Sequence, residues 1–236
     1  MTSAISYRSA DLDILASLEE NHFWFRARRN IILDTLARCF PGGKDYLEVG
    51  CGTGYNARVI AGRFPAWRVV ASDALADGEG FLRLDARDLP YRSAFDVIGA
   101  YDVLEHIEDD GAVLAQFHQA CRPGGGVLVT VPQHRWLWSG ADTYAQHHRR
   151  YSSRQLCGQL RAAGFEIVSA TSFQTLTLPF LYCRAVALRG RAPKAAAPPA
   201  VLNWLFGQLM EADRRLISAG GRLPVGGSLL VAARKR

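Results

Sequence analysis

The 236-residue sequence holds no apolar run of the roughly 18–20 residues that a membrane span needs. The longest candidate, Leu176–Leu188, is shorter and is interrupted by Arg184. The five cysteines, Cys39, Cys51, Cys121, Cys157 and Cys183, are odd in number and widely spaced, with no Cys-x-x-Cys pair. That spacing excludes a disulfide scaffold and a structural zinc knuckle, and it suits a reducing compartment. The first residues, MTSAISYRSADLDIL, lack the basic start and apolar stretch of a secretory leader. Lysine is scarce: 3 of the 28 basic residues, the rest being arginine. Codon bias alone can produce such a ratio. Together these absences lead to the expectation of a cytoplasmic protein with no metal site. Peripheral contact with the inner membrane face stays open.

What is present is a hydrophobic content of 49% and an aromatic content of 10%, enough to bury a substantial core. Wholesale disorder and a collagen-like or repeat architecture are excluded. The formal charge of +6 hides a split. Residues 1–121 carry 12 basic and 18 acidic side chains, whereas residues 122–236 carry 16 and 4. A net +12 half beside a net −6 half suggests different partners for each, one of them anionic.

Apolar spacing predicts helices over 10–20 and 26–39, separated by the aromatic His22-Phe23-Trp24-Phe25. Strands and helices then alternate. Strands are expected at Tyr46–Val49, Arg68–Ser72, Phe81–Leu84, Phe95–Ala100, Val127–Val131 and Phe165–Ala170. Helices are expected at Tyr55–Phe64, Asp109–Ala120 and Ser153–Ala163, and Arg122–Gly126 reads as a turn. Alternation of this kind argues for an α/β domain with a mainly parallel sheet. A Pro/Ala-rich linker over 192–199 precedes an amphipathic helix at 200–217, and Ser228–Ala233 reads as a last strand.

The most informative stretch is Leu47-Glu48-Val49-Gly50-Cys51-Gly52-Thr53-Gly54, where three alternate glycines follow a strand and open a helix. Glycine lets a ligand approach the main chain, and the helix start favours an anionic group. Two nucleotide readings compete. Gly52-Thr53-Gly54-Tyr55-Asn56-Ala57 fits the GxGxxG/A pattern of dinucleotide folds, hence a nicotinamide oxidoreductase. Asp73, at the end of the second strand, could accept both ribose hydroxyls in either reading. Glu48 and Asp85 break the tie. A carboxylate facing a pyrophosphate is unfavourable, whereas one facing a sulfonium and an ammonium is favourable.

EVGCGTG, VVASD, LDARDLPY, FDVIGAYDVLEHIEDD and RPGGGVLVTVP, in that order, resemble the motifs of class I S-adenosylmethionine-dependent methyltransferases over about residues 45–173. The resemblance implies a Rossmann-like seven-stranded sheet, mainly parallel, whose antiparallel last strand slots between strands five and six. It implies S-adenosyl-L-methionine as cofactor, with Gly50, Gly52 and Gly54 along it, Asp73 on the ribose, Asp85 and Ala86 near the adenine, and Tyr101 after strand four. The short Ala74–Gly80 link departs from the pattern, leaving little room for the usual helix. HFWFRARR, LEHIEDD, WLWSGAD, HHRRYS and LPVGGSLLVAARK further resemble a bacterial subgroup associated with polysaccharide or lipid biosynthesis, with quinone-pathway O-methyltransferases as more distant relatives.

These readings divide the chain into an N-terminal helical lid (1–44), a cofactor-binding core (45–173 with 224–236) and a helical insertion (174–223). In the lid, the aromatic segment either docks its helix or closes over the cofactor; in the second reading Trp24 covers it and Arg28 or Arg29 approaches its methionine carboxylate. Candidates for acceptor chemistry fall after strands four and five: Asp102, Glu105, His106, His134, Asp142, His147 and His148. His147, Asp102 and His134 are the leading choices for proton transfer. Arg149 and Arg150, beside the histidines, would clamp an anion. The insertion carries seven basic residues against Glu211 and Asp213, so it could cover the acceptor, form a homodimer or rest on an anionic membrane. The expected reaction is O-methylation of a small or lipid-linked acceptor. Nucleic-acid binding remains a weaker alternative, because the basic residues are scattered and no binding motif is present.

Overall fold

The computed structural model describes residues 16, 18–75, 80–191 and 198–236. The expected helix at 10–20 lies mostly outside these residues, as do most of the Ala74–Gly80 link and most of the 192–199 linker. Helix α1 (Phe23–Cys39) absorbs the aromatic segment that the sequence placed between two helices. His22 caps it, its Nδ1 accepting from the Trp24 N–H. The alternating elements follow: β1 (Asp45–Val49), α2 (Tyr55–Arg63), β2 (Arg68–Asp73), β3 (Leu82–Arg83), β4 (Phe95–Tyr101), α3 (Asp110–Ala120), β5 (Cys121–Pro132), α4 (Gly140–Tyr144), α5 (Ser153–Ala162) and β6 (Phe165–Phe173). Helices α6 (Leu178–Ala187) and α7 (Ala200–Ser218) precede β7 (Ser228–Lys235).

The seven strands form one sheet in the order β3-β2-β1-β4-β5-β7-β6. β7 runs antiparallel to both β5 and β6, pairing Val129 with Val231 and Ala170 with Val231. The expected insertion of the last strand between five and six is therefore observed. β3 is a two-residue edge strand, shorter than the expected Phe81–Leu84. The expected Arg122–Gly126 turn lies within the span of β5. Phe95 pairs with Cys121 and Val97 with Gly126, so four residues bulge out opposite one. Gly124 supplies the positive φ, +79°, that the excursion needs.

Period-two alternation sorts the strands between two cores. Val127, Val129, Val131, Leu229, Val231 and Ala233 face α3 and α5, packing on Val113, Phe117, Leu156 and Leu160. Leu128, Leu230 and Ala232 face the other way, onto Ile31, Ile32 and Leu36 of α1 and Phe206, Met210 and Ile217 of α7. The N-terminal helix and the insertion thus share one face of the sheet. Arg214 joins them, bonding Asp34 at 2.5 Å and Glu211 at 2.7 Å. The Phe23 N–H donates to Asn203 Oδ1 at 2.8 Å. Among the described residues no helix is long and apolar enough to cross a membrane.

Candidate active site

The site gathers at the carboxyl ends of β1, β2, β4 and β5, where open α/β sheets hold ligands. β1 runs directly into the glycine loop. Gly50 has φ +70°, and a Cβ there would lie 2.5 Å from Val103 Cγ2, so the loop lies hard against the turn after β4. Gly54, also at φ +70°, has the Phe81 ring in the same relation at 2.3 Å. The Gly52 N–H donates to Asp73 Oδ2 at 2.9 Å, and the Leu75 N–H donates to Oδ1. Asp73 is thereby locked at the end of β2 beside the loop.

Glu48 sits in β1 with 1% of its surface exposed. Its Oε2 has no hydrogen-bond partner among the described residues. Burial pushes its carboxyl up to about 8, against the opposing pull of Arg28 and Asn56. Glu19, which no motif singles out, joins it: its carboxylate accepts from Thr53 Oγ1 at 2.5 Å, in the glycine loop. Burial raises Glu19 as well. Its signal was unreadable because it lies far upstream of the loop, on the segment that α1 folds back. Two carboxyls, one of them with an orphaned oxygen, suit a ligand that brings positive charge.

Other expected contacts are engaged within the protein. Asp85 is held by Arg87 through paired bonds of 2.6 to 3.1 Å, and this guanidinium keeps its carboxyl below the usual range. Ala86 is buried. Tyr101 is the last residue of β4, not part of the loop after it. Its ring is buried in the α1 core and its hydroxyl meets that of Tyr46 at 2.8 Å, so the side chain is turned from the glycine loop. Trp24 is half-buried, with the Arg28 guanidinium 4.4 Å from its ring centre. Arg28 is itself buried and pairs with Asp102.

That pair corrects the reading of Asp102 as a free base. Asp102 also has a φ of +57°, and Thr130 Oγ1 donates to its second oxygen at 3.4 Å. His134, just past β5, has a φ of +62°. Strained backbone at the ends of both strands is a frequent mark of functional loops. The His134 ring stacks on Trp136 at 5.0 Å, apart from the other histidines.

The structure does bring His147 to Glu105 and His106. His106 closes the single 3-10 turn Leu104–His106 after β4. The His148 N–H donates to the Glu105 carbonyl at 2.8 Å, which pins the later loop to that turn. The His106 and His147 rings meet edge-on at 4.7 Å. Glu105 is fully buried, and neither carboxylate oxygen has a partner among the described residues. Burial and the charge of Asp102 hold its carboxyl well above the usual range. Burial, with His147 behind it, brings His106 down to about 4.

Asp142 orients this group. It caps α4 by accepting from the Ser139 N–H at 2.9 Å. Burial opposes its ionisation, yet His147 and Arg150 outweigh that and bring it down to about 2. An ionised Asp142 accepts from His147 Nδ1 at 3.0 Å, so Nδ1 carries a proton and the ring is held in one orientation. The arginines expected to clamp an anion are committed elsewhere. Arg150 bonds Asp142 at 2.7 Å, Arg149 bonds Asp110 at 2.9 Å, and Tyr151 donates to Asp110 at 2.7 Å.

A glycine loop, a locked β2 aspartate and buried carboxyls at the end of β1, on a sheet with β7 inserted, fit a sulfonium-bearing nucleoside cofactor. A model of the methyltransferase domain matches residues 23–170. The chain belongs to the class I S-adenosylmethionine-dependent methyltransferases. The methyltransferase is 34% identical over 167 residues to a probable S-adenosylmethionine-dependent methyltransferase of Mycolicibacterium smegmatis, covering 65% of this chain and 63% of that one. It is 29% identical over 107 residues to a ubiquinone biosynthesis O-methyltransferase of a Bradyrhizobium species, covering 40% and 42%. The chain thus spans less than two thirds of these relatives' length. The fold also matches Haemonchus contortus phosphoethanolamine N-methyltransferase 2 solved with S-adenosyl-L-methionine, at a TM-score of 0.61 and 18% identity, covering 97% of this chain and 57% of that one. The family's cofactor is S-adenosyl-L-methionine. The nicotinamide and nucleic-acid alternatives find no support.

Proposed function

We propose that this methyltransferase alkylates a hydroxyl oxygen of a small or lipid-linked acceptor. The observation that carries the reading is the Glu105–His106–His147 group after β4, a buried carboxyl beside two half-buried imidazoles, with His147 Nδ1 held by Asp142. Bound S-adenosylmethionine supplies a methyl group made electrophilic by its sulfonium. The chain's own residues do the rest. Glu48 and Glu19 offer negative charge to the cationic end of the cofactor. The start of α2 offers free N–H groups to a carboxylate, and Asp73 receives the ribose hydroxyls. Alkylating a hydroxyl requires that its proton leave, and the Glu105–His106–His147 group is the set of residues able to promote that loss. A neutral amine acceptor would have no use for such a group. The O-methyltransferase relative in ubiquinone biosynthesis supports the same choice.

A lipid-linked acceptor is favoured by a second observation. Residues 167–210 contain no Asp or Glu but carry Arg184, Arg189, Arg191 and Lys194. On this stretch Leu176, Phe180, Tyr182, Val186, Val201 and Trp204 are exposed. Exposed aromatics beside unopposed arginines are the composition of a surface that rests on anionic lipid. The test is methyl transfer from labelled cofactor to matched hydroxyl and amine acceptors, both free and carried in lipid vesicles. Label on nitrogen alone would sink the oxygen assignment. Equal rates for free and lipid-carried hydroxyls would sink the lipid preference.

A further inference from the structure

Three nitrogen or oxygen donors that could share one ion, from Glu105, His106 and His147, lie within 4.8 Å of one another. A common metal with bonds of about 2.0–2.2 Å needs tetrahedral donors roughly 3.4 Å apart, so side-chain shifts of about an ångström suffice. Proximity alone would be a weak argument. Two further features point to a ligand. The first is Glu105, fully buried, whose two carboxylate oxygens meet no donor among the described residues. A carboxyl removed from water with neither oxygen partnered is costly, and a cation beside it is what would let it ionise there. Its neighbours do not relieve it: Asp102 is held by Arg28, and Arg150 is held by Asp142.

The second feature is how both imidazoles are held. His147 gives Nδ1 to Asp142, and His106 bonds the Ala145 backbone. A ring nitrogen tied to a carboxylate or a carbonyl, with the other turned to a shared point, is how proteins orient metal-binding histidines. Asp142 is in turn fixed by the Ser139 N–H and by Arg150. The support therefore extends two residues deep behind His147.

We propose that Glu105, His106 and His147 bind a divalent transition-metal ion that takes the acceptor oxygen as a further ligand. Two imidazoles and one carboxylate suit ions of the zinc, manganese or iron(II) class, whereas magnesium and calcium favour all-oxygen sites. Three protein ligands leave coordination positions open. His106 and His147, both only half-buried beside the buried Glu105, mark the side from which an acceptor can enter. The inference rests on the oxygen-alkylation reading above. A hydroxyl bound to the ion loses its proton to water near neutral pH, so the oxygen reaches the methyl group as an anion. It also revises the sequence expectation that no metal is held.

The test is a titration of chelator-treated, tag-free full-length protein with Co²⁺, followed by visible absorbance and repeated with Zn²⁺ as competitor. The expected result is one equivalent bound. Glu105→Gln and His147→Ala should each lower affinity at least tenfold, and Asp142→Asn, acting through His147, roughly 10–100-fold. Affinity for S-adenosylhomocysteine should stay within about twofold in all three, which shows that they fold. No Co²⁺ uptake by the wild type, or variants that bind as tightly as it does, would overturn the proposal. Failure of the oxygen-alkylation reading shows separately, as label on nitrogen alone in the acceptor assay while the wild type still takes up Co²⁺.

Discussion

Glu48→Gln isolates the electrostatics of the cofactor end. Burial holds the Glu48 carboxyl at about 8, against an ordinary value of 4.5. The folded state therefore binds a proton that the unfolded state releases, and stability falls as pH rises from about 4.5 to about 8. The full shift corresponds to roughly 5 kcal/mol at 1.36 kcal/mol per unit, of which about 3 kcal/mol is already lost near pH 7. Gln keeps the shape and cannot ionise, so the variant lacks this slope. It should melt about 6–12 °C higher near pH 7, at 2–4 °C per kcal/mol for a chain of this size, and match the wild type near pH 4. Binding should move the opposite way. A cationic ligand favours the ionised carboxyl, so the wild type should release close to one proton on binding S-adenosylmethionine at about pH 7. The variant should release fewer and bind the sulfonium ligand more weakly, with a smaller loss for S-adenosylhomocysteine. Calorimetry in buffers of different ionisation heat counts those protons. Equal pH slopes of melting in the two proteins, with equal proton release, would refute the argument.

Other perturbations read other parts of the site. Gly50→Ala places a Cβ 2.5 Å from Val103 Cγ2 on a backbone at φ +70°. Strain and overpacking should together cost about 2–4 kcal/mol by denaturant titration, and adding Val103→Ala should recover part of it. If the second change recovers nothing, the contact with the post-β4 turn is not what excludes a side chain. Asp73→Asn removes the charged acceptor for the ribose and should weaken S-adenosylhomocysteine binding about 10–100-fold, since hydrogen bonds to charged groups are worth roughly 1.5–3 kcal/mol; unchanged affinity in calorimetry would mean that the ribose lies elsewhere. Arg189→Glu with Arg191→Glu should abolish co-sedimentation with phosphatidylglycerol vesicles and leave S-adenosylhomocysteine affinity alone. Wild-type protein that ignores anionic vesicles would refute a lipid-facing α6.

The sheet was legible because short apolar runs, bounded by glycine, proline or a strand-end aspartate, alternate with helical stretches. Tyr46–Val49 runs into glycines, and Val127–Val131 follows the Pro123–Gly126 turn signal. Even the inserted last strand followed from the family resemblance, and β7 occupies that position. The glycine loop and Asp73 were equally plain, since both are set by residues close in sequence to the strand ends. What could not be read was pairing across distance. Glu19 reaches Thr53 over 34 residues, and Arg28 reaches Asp102 over 74. No local pattern encodes either. The same holds for Glu105 and His147: each was visible as a candidate, but it takes the His148-to-Glu105 backbone bond and the contacts of Arg149 and Tyr151 with Asp110 to bring the two segments together.

The split between an acidic and a basic half dissolves for the same reason. Arg122 from the basic half pairs with Asp45 and Asp96, Arg149 with Asp110, and Arg214 with Asp34, all in the acidic half. Much of the +12 is thus matched inside the fold, so the whole half is not one anion-binding surface. What is left unmatched is narrower. Residues 167–210 hold no acidic side chain of their own beside Arg184, Arg189, Arg191 and Lys194, and Asp142 is an acid that reaches Arg184 from outside the stretch. Arg184 is exposed, and partial desolvation of its guanidinium lowers its pKa against the opposing pull of Asp142. Arg189 and Arg191 are exposed beside exposed Val186 and Tyr182. Solvated arginines with apolar neighbours gain most where one surface offers both negative charge and hydrocarbon. Free nucleic acid offers only the charge, and a soluble anion only a point of it. The residual charge supports the proposed lipid contact on the α6 side of the molecule, independently of which atom is methylated.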